Sequence, residues 1–327
     1  MRRKNLPVVF AILIVICLIA LSPQKYMNSL IAGLQMFFFH VFPALFPFLI
    51  LTKLLNAFQG GQILGKIFQK PLQKLYGLPP VAGYTFFLSI LSGYPVGATL
   101  IADFYGQGQI DGNQARRMAS LCSTSGLIFI VGTVGSSMFH NTGLGYIIYL
   151  AHIVSALLCG LVFCIKKRKS DLLSQNINPN IKQNNIMLAD CVYESIISIL
   201  IIGAYISIFY MLTDMLLLSG IFKPCIEALT SALSGLGLPE AISRGLLTGF
   251  FEMTRGCNEL ASCPNQAVAA VAACALISFG GISINMQAMA FLSKAKIKAH
   301  TYFLYKCVHA ALSVPVCYFL LFAFRML

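Results

Sequence analysis

Two short polar interruptions in otherwise apolar sequence carry the residue types best suited to binding chemistry. Stretch 91–97 reads Leu-Ser-Gly-Tyr-Pro-Val-Gly, and stretch 122–126 reads Cys-Ser-Thr-Ser-Gly. Glycine and proline free backbone amides and carbonyls from helical hydrogen bonds, and lipid offers those groups no partners. The pattern therefore predicts a re-entrant hairpin that faces a broken helix, which is how many transporters form a solute site. Close helix packing at small residues is the alternative interpretation.

The second half of the chain repeats this pattern and adds charged residues. The apolar stretches 241–260 and 265–292 are each interrupted near their centres by polar residues and glycines. Residues three apart on a helix are neighbours, so Glu252 and Arg255 are predicted to form a charge pair in a second hairpin. Ionisable groups at membrane depth are costly and are functional candidates. A structural pair and a substrate contact both stay open for these two residues.

The chemistry expected of the four interruptions is the binding of a small anion. Half-helix N-termini present partial positive charge, and the neighbouring hydroxyls add hydrogen-bond donors. Tyr94 offers a ring face for a planar ligand, and Arg255 offers a cation. The predicted substrate-binding residues are Ser92, Gly93, Tyr94, Gly97, Ser123, Thr124, Ser125, Gly126, Glu252, Thr254, Arg255, Gly256, Ser278, Gly280 and Gly281.

No set of residues resembles an enzyme site. The sequence has no Ser/His/Asp arrangement, no glycine-rich phosphate loop between a strand and a helix, and no carboxylate pair beside a proton acceptor. We therefore expect no enzymatic activity, no cofactor, no metal site and no ATP use by this chain. His152 and His309 each lie in a predicted span, where an interhelical hydrogen bond is favoured over a proton relay. Most cysteines lie in apolar runs, and a Cys257–Cys263 bridge is weakly supported.

The composition determines what kind of element must position these residues. Of the 327 residues, 58% are hydrophobic and 10% are charged, and the mean hydropathy is +0.81. In a soluble domain roughly a quarter of all residues are charged. The sequence therefore predicts an all-α polytopic protein with the lipid bilayer as its surroundings. The net charge of +13 comes from clusters between apolar spans. This distribution follows the positive-inside rule and argues against nucleic acid as a partner.

The order of apolar segments predicts two halves with the same plan. Each half holds a span, an interfacial helix, a hairpin of half-length arms, a broken span and a closing span. Three crossings per half are odd, so the second half is predicted to lie inverted relative to the first. The predicted units are an N-terminal transmembrane helix (1–25), a first repeat (26–169), a cytoplasmic linker (170–189) and a second, inverted repeat (190–327).

The predicted topology has seven full spans, with the N-terminus in the cytoplasm and the C-terminus outside. It rests on the basic start, on the lysines of the interfacial helix 63–76, on the cluster 166–169 and on the lysines near 296. The second span holds Pro43 and Pro47, which are expected to kink it. The predicted spans are 6–21, 30–55, 117–138, 144–165, 191–218, 265–292 and 302–324, and the hairpins are 82–102 and 241–260.

The interrupted motifs, taken in order, resemble the sporulation integral membrane proteins of the YlbJ (SpoVV) family. The resemblance rests on stretches 91–98, 122–126, 129–135, 249–257 and 278–283 and covers nearly the whole chain after the first helix. The family carries Asn where this chain has Ser123. It belongs with the nucleoside-recognition Gate domains, which are similar to concentrative nucleoside transporters and to the membrane part of the ferrous iron transporter B.

The resemblance implies transport of dipicolinic acid into the developing spore, across the outer forespore membrane. A transporter or facilitator of a small organic anion is therefore the leading hypothesis. A non-transporting membrane scaffold of sporulation and a nucleoside-type solute transporter are the alternatives. The sequence leaves open the substrate, the direction of transport, the coupling ion and the oligomeric state, including a homo-oligomer.

Overall fold

The computed structural model describes residues 6–58, 60–164, 188–235 and 237–326. These residues form helices and contain no strand, which confirms the predicted all-α class. The basic start, the cluster 166–169 and the linker up to residue 187 lie outside the described residues.

Residues 6–58 and 60–164 form eight α-helices and two π-helical segments, named here in chain order. They are α1 (Leu6–Leu21), α2 (Pro23–Met36), the first π segment (Phe37–Val41), α3 (Phe42–Ala57), α4 (Gly60–Tyr76), α5 (Val81–Ser92), α6 (Tyr94–Gly106), α7 (Gly112–Leu121), the second π segment (Phe129–Met138) and α8 (Thr142–Cys164).

The second half also contains long helices, a shorter helix and two pairs of half-length helices. Its helices are α9 (Leu188–Leu218), α10 (Phe222–Ser234), α11 (Glu240–Phe251), α12 (Met253–Ala261), α13 (Gln266–Phe279), α14 (Gly281–Leu292), a 3-10 turn (Ser293–Ala295) and α15 (Ala299–Ala323). The recurrence agrees with the predicted repeat. The inverted relation of the halves and the domain boundaries stay predictions.

Five helices in the described part of the chain are long and apolar enough to cross a membrane, rather than the seven predicted. They are Pro23–Leu55, Thr142–Cys164, Leu188–Leu218, Gln266–Ala295 and Ala299–Ala323. A sixth arises if α4 and α5, which meet at 113°, count as one bent span. The first predicted span falls short because α1 has 16 residues, against roughly 20 needed for a crossing. The span 117–138 is missing because its polar interruption divides it, with non-helical backbone at 122–126 between α7 and the second π segment.

A π segment accommodates Pro43 in the first long span. Proline has no backbone N–H, so a regular α-helix would leave one carbonyl of the preceding turn without its donor. Here the Phe42 N–H donates to the Phe37 carbonyl, five residues back. The helix therefore continues from Pro23 to Leu55 as one apolar span. The kink expected from Pro43 and Pro47 stays a prediction.

Helices α5 and α6 form the first predicted hairpin. Gly93 joins them with φ +95°, a left-handed conformation that favours glycine. The rings of Tyr84 and Phe104, which lie far from the joint on opposite arms, have centroids 6.2 Å apart. The arms therefore fold back on each other. That they re-enter the membrane from one side stays a prediction.

Helices α11 and α12 form the second predicted hairpin, and glycines let its arms approach closely. A Cβ on Gly249 would lie 3.1 Å from the Gly256 Cα, so neither position has room for a side chain. Arg244 on one arm lies 3.7 Å from the Glu259 carboxylate on the other. Small residues at a helix contact have this effect in membranes generally.

Two smaller predictions have clear outcomes. In α4, Leu72 and Tyr76 are buried while Lys66 and Lys70 are exposed, so the helix is amphipathic as predicted; its place on the membrane interface stays a prediction. All eleven cysteines are free thiols, including the buried residues Cys257 and Cys263. The bridge between these two cysteines is therefore absent.

Candidate functional site

The two hairpin tips and the two helix breaks converge at the centre of the molecule. A Cβ on Gly93 of the first tip would lie 2.9 Å from the Gly126 nitrogen of the first break. A Cβ on Gly281 of the second break would lie 3.1 Å from the Met253 nitrogen of the second tip. Tyr94 connects the halves because its hydroxyl donates to the Ile277 carbonyl at the end of α13.

A central cavity of about 60 Å³ lies between these elements. Seven predicted substrate-binding residues line it: Ser92, Gly93, Tyr94, Ser125, Gly126, Glu252 and Thr254. The apolar part of the lining comes from the first π segment, α3, α9 and the second π segment, with Val41, Leu45, Ile202, Ile206 and Phe129 among its residues.

Two hydroxyls in the cavity lining are buried and have no hydrogen-bond partner within the described structure. They are the Oγ atoms of Ser92 and Ser283, and both residues line the central cavity. Buried polar groups are nearly always satisfied by protein, water or ligand. The two hydroxyls are therefore available to a bound molecule. Ser283 was not among the predicted residues, although it follows the Gly280–Gly281 break by two positions.

The Glu252 side chain caps the second hairpin tip instead of pairing with the Arg255 side chain. Its Oε1 accepts from the Thr254 N–H at 3.1 Å, and its Oε2 accepts from the Arg255 N–H at 2.7 Å. The predicted charge pair is therefore wrong. Glu252 has extended backbone and α12 begins only at Met253, so the spacing of neighbours on one helix face does not apply.

Arg255 points away from the central cavity into an ionic cluster at the end of α9. Its Nη1 lies 2.7 Å from Asp214 Oδ1, and its Nε lies 3.0 Å from Glu259 Oε1. Its guanidinium carbon lies 4.2 Å from the centroid of the Tyr210 ring. Arg255 does not line the central cavity, so a contact between Arg255 and a solute there is absent from this conformation.

The remaining predicted residues shape the breaks or hold the tips in place. Thr124 bonds Ser89 of α5, Ser278 bonds His152 of α8, and Ser123 bonds Tyr302 of α15. Gly97 faces the Cys122 carbonyl and Gly256 faces Gly249, both without room for a Cβ. Gly280 and Gly281 have φ values of +87° and +65°. They turn the chain between α13 and α14 in a way that L side chains rarely allow.

Lys306 is a candidate that the sequence reasoning missed. It is 2% exposed, and its Nζ donates to the Tyr94 hydroxyl at 3.2 Å and to the Ser123 carbonyl at 3.0 Å. The ammonium nitrogen also lies 4.4 Å from the centroid of the Tyr94 ring. A lysine inside the last apolar span was the available signal, since charges at membrane depth are functional candidates.

The two predicted span histidines are adjacent in the structure. Their ring centroids lie 4.7 Å apart. His152 Nε2 accepts from the Ser125 N–H at 2.9 Å, and His309 Nε2 lies 3.0 Å from the His152 carbonyl. The expected interhelical hydrogen bonds are confirmed.

A larger vestibule of about 580 Å³ adjoins the central cavity. Lys53, Asp103 and Glu194 are the charged residues in its lining. The two spaces share the lining residues Leu45, Ser92, Ile202 and Gln287. The vestibule therefore lies next to the central cavity and carries the Lys53–Glu194 ion pair, at 2.9 Å, in its lining. Within the described ranges, no group of three or more His, Cys, Asp or Glu residues is arranged to hold a metal ion.

Comparison with known proteins supports the resemblance that the interrupted motifs indicated. The chain is 27% identical over 303 residues to the sporulation integral membrane protein YlbJ of Bacillus subtilis (strain 168). The alignment covers 86% of this chain and 74% of that protein. No family model matches the chain, and no solved structure matches it. Together with its apolar helices, this similarity identifies the chain as a multi-pass integral membrane protein related to YlbJ.

Proposed function

We propose that the protein moves a small organic anion across its membrane through the central cavity. The observation that carries the proposal is the meeting of both hairpin tips and both helix breaks around one cavity with unpartnered hydroxyls. Backbone away from helical geometry is tolerated at membrane depth where it is buried in protein or lines a wet cavity. A scaffold without transport would not need polar groups from four separate elements at one place.

The vestibule gives the solute a path from one side of the membrane. Lys53 near the end of α3 and Glu194 near the start of α9 form its charged rim. Both residues lie near segments that the positive-inside rule assigns to the cytoplasm. At the other end of α9, the Arg255–Asp214 pair closes the second hairpin against that helix. In this proposal, the state described is the one that opens toward the cytoplasm.

Admission of a ring-sized solute requires the tips to separate. The central cavity measures about 60 Å³, and one water molecule needs roughly 10–15 Å³ of such volume. In this conformation the space holds only a few waters. Transport is then expected to alternate between this narrow state and one in which the first hairpin tip moves away from the second.

Dipicolinate is the first solute to test, because the YlbJ-family resemblance implies it and because its chemistry suits the site. It is a planar dianion, for which Tyr94 supplies a ring, and Ser92 and Ser283 supply free hydroxyl donors. In this proposal the protein acts in sporulation at the outer forespore membrane. Restoration of spore dipicolinate in a Bacillus subtilis strain lacking YlbJ would support that placement.

The decisive measurement is flux of labelled dipicolinate into proteoliposomes that contain the purified protein. We expect saturable flux in the wild type and none in Ser283→Leu, whose side chain fills the cavity. Ser219→Leu is the matched control, since Ser219 lies exposed at the end of α9. Size-exclusion profiles must show equal amounts of folded protein. Absence of wild-type flux across a panel of small anions would overturn the proposal.

Glu252→Gln separates an anion from the alternative solutes. The amide keeps one oxygen for the backbone cap and removes the negative charge from the cavity lining. Affinity for an anion should rise by about 5-fold or more, since close like charges cost on the order of 1 kcal/mol even in water. A fall in flux of an uncharged nucleoside or a cation in this variant, without any anion flux, would favour the other solute class.

A further inference from the structure

Three basic side chains lie together behind the wall of the central cavity. Lys306 and His309 are each 2% exposed, and His152 is fully buried. The cluster reaches the cavity through Tyr94, which lines it and which accepts a hydrogen bond from Lys306 Nζ at 3.2 Å. It also reaches the first break, where Ser123 and Ser125 bond Lys306 and His152.

The hydrogen bonds of the two imidazoles are those of neutral rings. His152 Nε2 accepts from the Ser125 backbone N–H, so that nitrogen carries no proton. Its Nδ1 then carries the ring proton and donates to Ser278 Oγ at 2.9 Å. His309 Nε2 donates to the His152 carbonyl. A second proton on His152 would break the bond to Ser125 and disturb the first break.

Lys306 has partners that suit either an amine or an ammonium group. They are a hydroxyl, a backbone carbonyl and the face of an aromatic ring. No carboxylate in the part of the chain that the structure describes forms an ion pair with it. A buried charge without a counter-charge is strongly destabilising, so a permanent ammonium at this place would be costly.

The neighbouring helices supply little negative charge to balance an ammonium group on Lys306. On α6 the carboxylate is Asp103, nine residues and roughly 13 Å along the helix from Tyr94. Glu252 lies across the cavity with its carboxylate engaged by two backbone N–H groups. The other titratable or charged groups of the elements packed around Lys306 are Arg116 and Arg117 of α7, Tyr146, Tyr149, His152, Cys159 and Cys164 of α8, Cys274 of α13, Tyr94 and Tyr105 of α6, and His300, Tyr302, Tyr305, Cys307, His309, Cys317 and Tyr318 of α15.

We propose that Lys306 is a proton-binding site whose protonation is coupled to occupancy of the central cavity by an anion. The inference rests on the proposed function and names the proton as the co-transported species. An anion beside Tyr94 supplies the missing counter-charge and so favours the ammonium form. By linkage, a proton on Lys306 favours the anion to the same extent.

The proton step involves no change in the solute. A proton from water adds to the lone pair of the Lys306 amine, and the ammonium keeps its bonds to the Tyr94 and Ser123 oxygens. When the anion leaves, the N–H bond breaks and the proton returns to water. One anion and one proton therefore bind and leave together, which also lowers the charge that crosses the membrane.

Calorimetry of dipicolinate binding in two buffers with different ionisation enthalpies counts the protons taken up. We expect uptake of about one proton per dipicolinate at pH 7 by the wild type. Lys306→Arg should bind dipicolinate without this uptake, because a guanidinium is always charged. Lys306→Met should also show no uptake, with binding weakened. Lys298→Met, exposed at the start of the same helix, should behave as the wild type.

The outcomes distinguish this inference from the proposed function. Binding without proton uptake in the wild type overturns the inference and leaves anion transport standing. Proton uptake that persists in Lys306→Arg also overturns it, and its loss in Glu252→Gln would move the site to Glu252. If no anion of the panel used for the flux measurement binds or moves, both proposals fall. If Lys306→Met does not fold, proton uptake by the wild type and by Lys306→Arg still tests the inference.

Discussion

The two hairpins occupy corresponding places around the cavity but are held there by different chemistry. In the first, Ser89 of α5 bonds the Cys122 carbonyl and the Thr124 hydroxyl of the adjacent break. In the second, Glu252 caps its own helix, and Arg255 binds carboxylates of α9 and α12. The first hairpin is thus fixed by neutral hydrogen bonds and the second by charges.

The difference shows that a shared architecture does not require shared side chains. Both hairpins exist because a break frees backbone groups that lipid cannot satisfy. Any nearby donor or acceptor can then satisfy them, whether a hydroxyl, as at Ser89, or a carboxylate, as at Glu252. What the two hairpins do share is glycine where their arms or tips touch, since only backbone volume decides that contact.

The largest effect should come from glycines at these contacts. Gly97→Ala places a methyl group against the Cys122 carbonyl, and Gly256→Ala places one against Gly249. Neither backbone can withdraw, so each change should lower the free energy of unfolding by about 3 kcal/mol or more. Denaturant titration in detergent measures this. Gly106→Ala, with nothing within 4 Å of its Cβ, should stay within about 0.5 kcal/mol of the wild type.

Removal of the Arg255 charge tests the charged contacts that hold the second hairpin. Arg255→Met leaves Asp214, which is 18% exposed, without its counter-charge, and leaves Glu259 with Arg244 alone, at 3.7 Å. A loss of about 3 kcal/mol is expected, and Asp214→Asn in the same chain should restore part of it. Lys53→Met, which breaks the exposed pair with Glu194, should cost less than about 1 kcal/mol. If Arg255→Met and Lys53→Met lowered the free energy of unfolding by the same amount, this ranking would be contradicted.

Ser89→Ala tests the neutral hydrogen bonds that hold the first hairpin. The change removes a hydroxyl that bonds Thr124 Oγ1 at 2.8 Å and the buried Cys122 carbonyl. Unsatisfied buried groups remain, so the expected cost is about 2 kcal/mol. Thr248→Val is its counterpart in the second hairpin, where the hydroxyl bonds Glu259 Oε2 at 3.0 Å. If thermal unfolding shows no loss for Ser89→Ala, the first hairpin is held by packing alone.

The smallest effect is expected at Ser123, whose hydroxyl bonds Tyr302 and does not line the cavity. Ser123→Ala should cost about 1 kcal/mol of stability and leave dipicolinate affinity within about 3-fold of the wild type, since a single neutral hydrogen bond outside the site is lost. A double-mutant cycle with Tyr302→Phe isolates the bond. A large loss of affinity in Ser123→Ala alone would place this hydroxyl in the solute site of another conformation.

The sequence by itself determined the helical membrane class, both hairpins and both breaks. Apolar periodicity and the positions of glycine and proline are local properties, and in a bilayer the backbone must obey them wherever they occur. For the same reason the residues 91–97 and 252–256 were recognised as tips without knowledge of what surrounds them. The sequence predicted too many full spans, because an interruption such as 122–126 divides what would otherwise be one long helix.

Only the tertiary structure decided which side chains face the cavity. Arg255 was expected there and instead binds Asp214, which is 41 positions earlier in the sequence and reaches it only through the packing of α9 on the second hairpin. The lysine inside an apolar span could have marked Lys306 as a candidate, but neither it nor Ser283 carries a local mark of which face of α15 or α14 meets the tips. Side-chain direction depends on how helices rotate against one another, and that rotation is set by the whole core.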